Sequence, residues 1–250
     1  MRSRWRQFGG WLLVALAANP AGAAMAGGRD EDLFVRPEDQ YTVLFGSLDA
    51  GRSVFVNAGA KQTVTGPLDR TGFVTMEAWG YGLTQERYRG AADLPATRFT
   101  QQVGILTGFQ WALNGLYAAA YLGPEVQHEQ LTIDGQVFRF SKPRYGVRGQ
   151  VEIWANPTAD TLLTATLVAG TARFSLWGRG SAGIRVASST FVGPEVTAYV
   201  TPTYSEIRVG AHVTGASVGL VQLRLSGGWM IDDAHRAGSP YGGLTLWMRM

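Results

Sequence analysis

The sequence predicts an all-β protein: a single antiparallel up-and-down transmembrane β-barrel of about twelve strands, ten being the alternative, behind a cleaved signal peptide. Three observations carry that expectation. The chain opens on a cationic MRSRWRQ and an apolar FGGWLLVALAA too short to span a bilayer. Small residues follow, and Ala21-Gly22-Ala23 and Ala24-Met25-Ala26 both fit an Ala-x-Ala cleavage site. Beyond that segment no apolar run approaches the roughly eighteen residues of a helical span, which excludes helices crossing a membrane and leaves strands. The remainder reads as short segments of alternating polarity whose charges keep to one phase.

Composition agrees with this class. There is no cysteine, so an exported chain forgoes disulfides; Gly at 33 of 250 is high and charged residues at 16% are few. A net charge of +3 raises the question of nucleic acid, but no lysine-rich stripe is present and the chain is exported, so nucleic acid is set aside. The expected organisation is a signal peptide over 1–24, a periplasmic N-terminal segment over 25–40 and the barrel over 41–250.

Strands are expected at 41–48, 53–61, 73–82, 100–112, 115–127, 144–155, 161–170, 173–186, 190–200, 204–215, 220–230 and 242–250. In 144–155, Arg144, Arg148, Gln150, Glu152 and Trp154 share one face, opposite Tyr145, Val147, Gly149, Val151 and Ile153. In 173–186, Arg173, Ser175, Trp177, Arg179, Ser181 and Arg185 lie opposite Phe174, Leu176, Ala182, Ile184 and Val186. Residues 204–213 repeat this with Glu206, Arg208 and His212 against Ile207, Val209 and Val213. Strict register of several charges on one face is what a half-polar strand demands. The polar face also carries large rings, assigned as Trp79, Tyr81, Tyr117, Tyr121, Trp154, Trp177, Tyr199 and Trp247. A face bathed in water would hold more small polar residues, so a packed, polar lumen ringed by lipid fits better than a soluble sandwich.

Two segments, YLGPEV at 121–126 and FVGPEV at 191–196, set proline and glutamate inside otherwise apolar strands. The alternation turns Glu125 and Glu195 inward and Pro124 and Pro194 outward. Proline lacks a ladder donor, so a bulge or kink is expected at each Gly-Pro. Each carboxylate requires a cation: Arg148 for Glu125, and Arg179, Arg185 or Arg208 for Glu195. The other lumen charges are assigned as Lys61, Arg173, Arg224, Arg249, Glu77, Glu152 and Glu206.

With the N-terminus in the periplasm, outer loops fall at 49–52, 83–99, 128–143, 171–172, 201–203 and 231–241. Turns at the other end fall at 62–72, 113–114, 156–160, 187–189 and 216–219. All of these turns are short except 62–72, whose GPLDRTG reads as a structured turn. The last strand sends Leu244, Leu246, Met248 and Met250 to lipid, without the aromatic terminus that barrel-closing strands often carry.

FGSLDAGRSVFVNAGAK, GPLDRTGF, YLGPEV, PRYGVRGQVEIWANPTADTLLTATLVAGTARFSLWGRGSAG, FVGPEVTAYVTPTY and RVGAHVTG together resemble the cellulose biosynthesis protein BcsS family, across roughly residues 43 to 247. The resemblance implies an exported accessory protein of cellulose production in the outer membrane of a Gram-negative bacterium. It supplies no catalytic motif.

Chemistry is sparse. No His-x-x-x-His spacing suggests a metal, no cofactor motif is present, and Arg179-Gly180-Ser181-Ala182-Gly183 fails the nucleophile elbow at its first glycine. His212 with Ser226 is the one nameable Ser–His pair, against which stands a lumen histidine bonded into a polar network. Asp233 and His235 read as a solvated loop tip. The candidate binding residues are therefore a lumen network of Glu125, Glu195, Arg148, Arg179, Trp154 and Trp177. Three functions are weighed: a non-enzymatic scaffold for the cellulose export machinery, a pore or glucan conduit, and a lipid- or glycan-modifying hydrolase. The expected partners are outer-membrane lipid together with export machinery or glucan.

Overall fold

The computed structural model describes residues 41–68, 70–89, 93–133, 136–140, 142–235 and 237–250. The expected signal peptide and the 25–40 segment lie outside the described residues. Among the described residues thirteen antiparallel strands form one sheet: β1 (Thr42–Ala50), β2 (Val54–Thr63), β3 (Gly72–Arg89), β4 (Asp93–Leu113), β5 (Leu116–Ile133), β6 (Gln136–Phe140), β7 (Arg144–Ala155), β8 (Thr161–Gly170), β9 (Ser175–Ala187), β10 (Thr190–Thr201), β11 (Tyr204–Val218), β12 (Val221–Asp232) and β13 (Ser239–Arg249). Pairing of β1 with β13 and of β4 with β5 closes the sheet. The wall has twelve strands, because β6 pairs only with the end of β5 and β7 takes the next place in the ring. Closure leaves the wall no open edge to satisfy, as a bilayer requires.

Each of the twelve expected strands is present, and three run well beyond their expected extent. β3 runs to Arg89 and β4 begins at Asp93, so most of the expected loop 83–99 is hairpin. β5 likewise continues to Ile133 and folds back through β6. Polar residues such as Glu86, Arg98 and Glu129 made these stretches read as loop; they are the inward phase of strands that outrun their neighbours. In contrast, Arg173 precedes β9 in a turn at 171–174, where Phe174 takes φ 54° and Arg173 is buried.

The inward phase follows the expectation in β5, β7 and β9 through β13, but not in β3. There Val74, Met76, Gly80, Gly82, Thr84 and Glu86 are buried, while Glu77, Trp79 and Tyr81 are exposed on the outer wall. Assigning Glu77, Trp79 and Tyr81 to the lumen was incorrect. Val74 and Met76 instead pack with Leu106, Ala119 and Tyr121 into an apolar cluster within the lumen, against Phe45 and Tyr117. A mostly uncharged strand carries no register of charges to fix its phase, and burying two large aliphatic side chains outweighs one carboxylate.

Displaced to the outside, the β3 rings build two aromatic clusters with β4. Trp79, Tyr81 and Phe99 meet at centroid distances of 5.1 and 5.8 Å; Phe73, Phe109 and Trp111 meet at 5.3 and 5.1 Å. Two aromatic levels separated by an aliphatic band are the pattern of a wall crossing both membrane interfaces. Around the rest of the ring, Leu122, Ile153, Leu167, Ile184, Val209 and Ile231 are exposed outward.

Candidate functional site

The lumen is lined by polar residues that converge from different parts of the ring. The end of the barrel carrying the 51–53, 171–174 and 202–203 turns is termed upper here, and the end carrying 64–71 lower. Under the upper mouth, Arg98 forks onto Glu86 at 3.0 and 3.1 Å and reaches Glu129 at 3.1 Å. From the opposite direction Arg173 reaches the same carboxylates, Glu129 at 2.9 Å and Glu86 at 3.3 Å, and also donates to Thr203 at 2.9 Å. Two guanidinium groups and two carboxylates thereby join β3, β4 and β5 to two turns. Charge balance and saturated donors are what make such burial tolerable.

Next to it, Glu206 accepts from Ser53 at 2.6 Å, Tyr204 at 2.6 Å and Arg208 at 2.8 Å. Arg208 also donates to Ser53 at 2.8 Å, approaches Asp49 at 3.8 Å and stacks between Phe55 and Tyr241, 5.6 and 5.4 Å from the ring centres. Phe55 touches Tyr199 across the lumen, centroids 5.3 Å apart, from strands five places apart in the ring.

The Gly-Pro-Glu segments lie in the mid-wall. Both glutamates are buried and both prolines face outward, as expected. The expected bulge is absent. Register is continuous through each segment, from Val192↔Ile184 to Glu195↔Ser181 and from Gly104↔Glu125 to Thr107↔Leu122. Each ladder only lacks the two pairs that would involve glycine and proline. A Cβ at Gly123 would overlap the Ile105 carbonyl oxygen, and one at Gly193 would overlap that of Ala182. Glycine here accommodates a neighbouring strand that presses in where proline offers no N–H, with no positive φ at either residue. The true register shifts in this region lie at Thr190/Phe191 and at Thr214/Ala216, where Gly215 takes φ 92°.

The partners of the two carboxylates also differ from expectation. Glu195 is ion-paired to Arg224 of β12, and none of Arg179, Arg185 and Arg208 reaches it. Arg224 further donates to Thr164 at 3.2 Å, and Thr164 bonds Ser181 at 2.7 Å. Glu125 makes no ion pair with Arg148. It accepts the Ala172 backbone N–H at 2.9 Å and lies against Gly170, where no side chain intervenes. Arg148 points into the lumen with a buried Nε that has no hydrogen-bond partner among the described residues. Arg179 lies over Trp177, 5.4 Å from the ring centre, and Arg185 binds two lower turns, through Ala159 O at 2.9 Å and Ser188 O at 2.5 Å. Strand alternation locates a side chain's face but not its reach, and guanidinium arms reach past the adjacent strand.

Nearer the lower mouth, Lys61 bonds Glu152 at 2.5 Å and Tyr117 at 3.3 Å, and Glu152 accepts from Gln150 at 2.8 Å. Tyr117 donates to Gln110, whose amide binds Leu68 O at 3.1 Å and Arg70 O at 2.7 Å. A lumen side chain thus ties Leu68 and Arg70 of the GPLDRTG segment to the barrel. Trp154 of β7 meets Trp247 of β13 at 5.7 Å, edge to face; those strands stand six places apart in a ring of twelve, on opposite walls.

His212 lies across from Ser226 in register, but its ring binds Thr214 at 2.7 Å and Ala182 O at 3.2 Å, and it is 1% exposed. Ala182 is the residue whose place opposite Pro194 lacks a ladder pair, so the histidine bonds a carbonyl at the gap in that ladder. In the upper loop the capping acid is Asp232, which accepts the N–H groups of Ala234 at 3.0 Å and His235 at 2.8 Å and the His235 ring at 2.8 Å. Asp233 takes no such role. Among the described residues no group of three or more acidic, histidine or cysteine side chains is placed to hold a metal.

All six candidate residues, Glu125, Glu195, Arg148, Arg179, Trp154 and Trp177, therefore face the lumen, but they belong to separate layers of it. The sequence reading missed the Glu86–Arg98–Glu129–Arg173 cluster because three of its four members sat in expected loops. The usable signal was the alternation continuing through Thr84, Glu86, Arg98 and Gln127.

No functionally curated protein matches this chain. Among solved structures it is similar to the KdgM porin, at 8% identity and TM-score 0.45, covering 81% of this chain and 97% of that one. It is similar also to the translocator domain of the autotransporter NalP from Neisseria meningitidis, at 10% identity and TM-score 0.47, covering 88% and 92%. The beta domain of the Bordetella autotransporter Brka shares 14% identity at TM-score 0.46, covering 84% and 97%. The family model of the cellulose biosynthesis protein BcsS matches residues 43–250, the whole barrel, and the chain belongs to that family.

Proposed function

We propose that this protein is an accessory scaffold barrel of the outer membrane, supporting cellulose biosynthesis or export without itself conducting the polymer. The observation that carries the reading is the packing of the lumen from opposite walls. Trp154 meets Trp247 across the full ring, Phe55 meets Tyr199 above them, and the Glu86–Arg98–Glu129–Arg173 cluster spans the upper mouth. Rings engaged with each other are not offered to a sugar face, which takes support from a glucan conduit. The His212 ring nitrogens are engaged with Thr214 and Ala182, which takes support from a Ser–His hydrolase. The outer wall supports membrane placement, and family membership ties the barrel to cellulose.

The test is a single-channel record on refolded protein in a planar bilayer. The expected result is a silent trace from protein that migrates as a folded, heat-modifiable band. Stable ohmic steps would replace the scaffold with a pore. In cells, a plugged scaffold predicts that deletion lowers cellulose output while Trp154→Ala in the intact protein does not.

A further inference from the structure

Glu77 breaks the rule that the rest of the wall keeps. Among wall residues whose side chains are described, it is the one Asp, Glu, Lys or Arg that projects outward between the two aromatic clusters. It is exposed on β3, with Ala60 of β2 and Ile105 of β4 as its cross-strand neighbours. Its level falls between Phe73 below and Trp79 above, both themselves exposed, which places it within the aliphatic band. None of the described residues gives its carboxylate a hydrogen bond or an ion pair. The lumen glutamates described above, by contrast, each have a hydrogen-bond donor or a cation. An unmatched ionisable group at membrane depth is costly, and such residues mark sites of interaction.

Three occupants can be compared on charge and depth. A lipid amine lies at headgroup level, and to reach Glu77 it would have to be drawn below the Trp79–Tyr81–Phe99 cluster, one outward position above the carboxylate. A second copy brings no described Lys or Arg on its own outer band, so two identical walls would set carboxylate against carboxylate. A membrane-embedded segment of a different protein, carrying Arg or Lys at the level of Glu77, satisfies the charge. The surface beside Glu77 suits close approach: Ala60 is its β2 neighbour, and the next outward pair along β2 and β1 is Ala58 with Gly46, so the outer wall is low there. We infer that the β1–β4 face around Glu77 is a lateral docking site for a membrane segment of another protein, which presents a cation to Glu77. This deepens the scaffold reading, whose failure would appear separately as channel conductance.

The experiment uses the full chain in its own outer membrane. A photoreactive benzoylphenylalanine replaces Ala60, next to Glu77, and in a control replaces Val196 of β10 on the opposite wall. The expected result is one protein adduct from position 60, none from position 196, and loss of the adduct in Glu77→Lys. Changing the partner's mid-membrane cation to glutamate then restores the adduct to Glu77→Lys, a charge swap that accidental proximity does not produce. Lipid adducts alone at position 60, an adduct to a second copy, or an adduct undiminished by Glu77→Lys would overturn the inference. If Glu77→Lys lacks a heat-modifiable folded band, Glu77→Gln carries the test, with a weakened adduct expected and an unchanged one counting against.

Discussion

The two Gly-Pro-Glu segments share four residues in a row and the same backbone solution, yet their carboxylates are satisfied in different ways. In both, proline faces lipid, glutamate faces the lumen, and glycine makes room for the carbonyl of the strand before it. Glu195 is bound by the guanidinium of Arg224, two strands away, whereas Glu125 takes one backbone N–H from the 171–174 turn. Identical local sequence therefore fixes the side of the wall and the fit of the backbone. The partner is set by what the ring places opposite.

The strongest way to break that comparison is Glu195→Gln. It strands Arg224 in a buried site, and the expected loss is about 3–5 kcal/mol. The measurement is urea unfolding in detergent followed by gel shift, and Glu195→Gln combined with Arg224→Met should recover part of the loss. No recovery would mean that the pair is not the source of the cost.

Next in size is a test of the faces themselves. Val151→Arg and Ile184→Arg put a cation on the lipid side and should cost about 2–4 kcal/mol, with poor insertion of the mature protein. Gln150→Arg, on the lumen phase of the same strand as Val151, should assemble far better. Equal yields of folded protein at these positions would contradict the assignment of the wall.

Gly123→Ala and Gly193→Ala sharpen the shared half of the comparison. Each forces a Cβ into a neighbouring carbonyl, so both should lose about 1–3 kcal/mol, by similar amounts. Unequal losses would show that the two backbones are not equivalent after all.

Glu125→Gln is expected to be milder than Glu195→Gln, about 0.5–1.5 kcal/mol, since an amide oxygen still accepts the Ala172 N–H and no ion-paired cation is left behind. A loss as large as that at Glu195 would mean that Arg148 is coupled to Glu125 more tightly than their separation indicates. Pro124→Ala and Pro194→Ala come last, within roughly 0.5 kcal/mol of wild type in either direction, because the displaced ring faces lipid and the flanking register is already continuous.

What the sequence determined by itself is an up-and-down barrel wall of about twelve strands and the face of the charged residues on its charge-rich strands. Period-two alternation is a local property of the extended chain, and charges at i, i+2 and i+4 can point to one side only. That reasoning placed Arg148, Glu152, Arg179, Glu195 and Arg208 in the lumen. It failed at β3, where alternation was present but too weakly charged to choose a phase, so Glu77, Trp79 and Tyr81 were put inside. Packing of Val74 and Met76 into the apolar cluster made that choice. The tertiary structure alone decided which side chains meet, because reach across a lumen depends on barrel closure and on long, flexible arms from distant strands. Thus Arg224 finds Glu195, Arg173 finds Glu86, and Trp154 finds Trp247, pairs separated by 29, 87 and 93 positions that no local pattern connects.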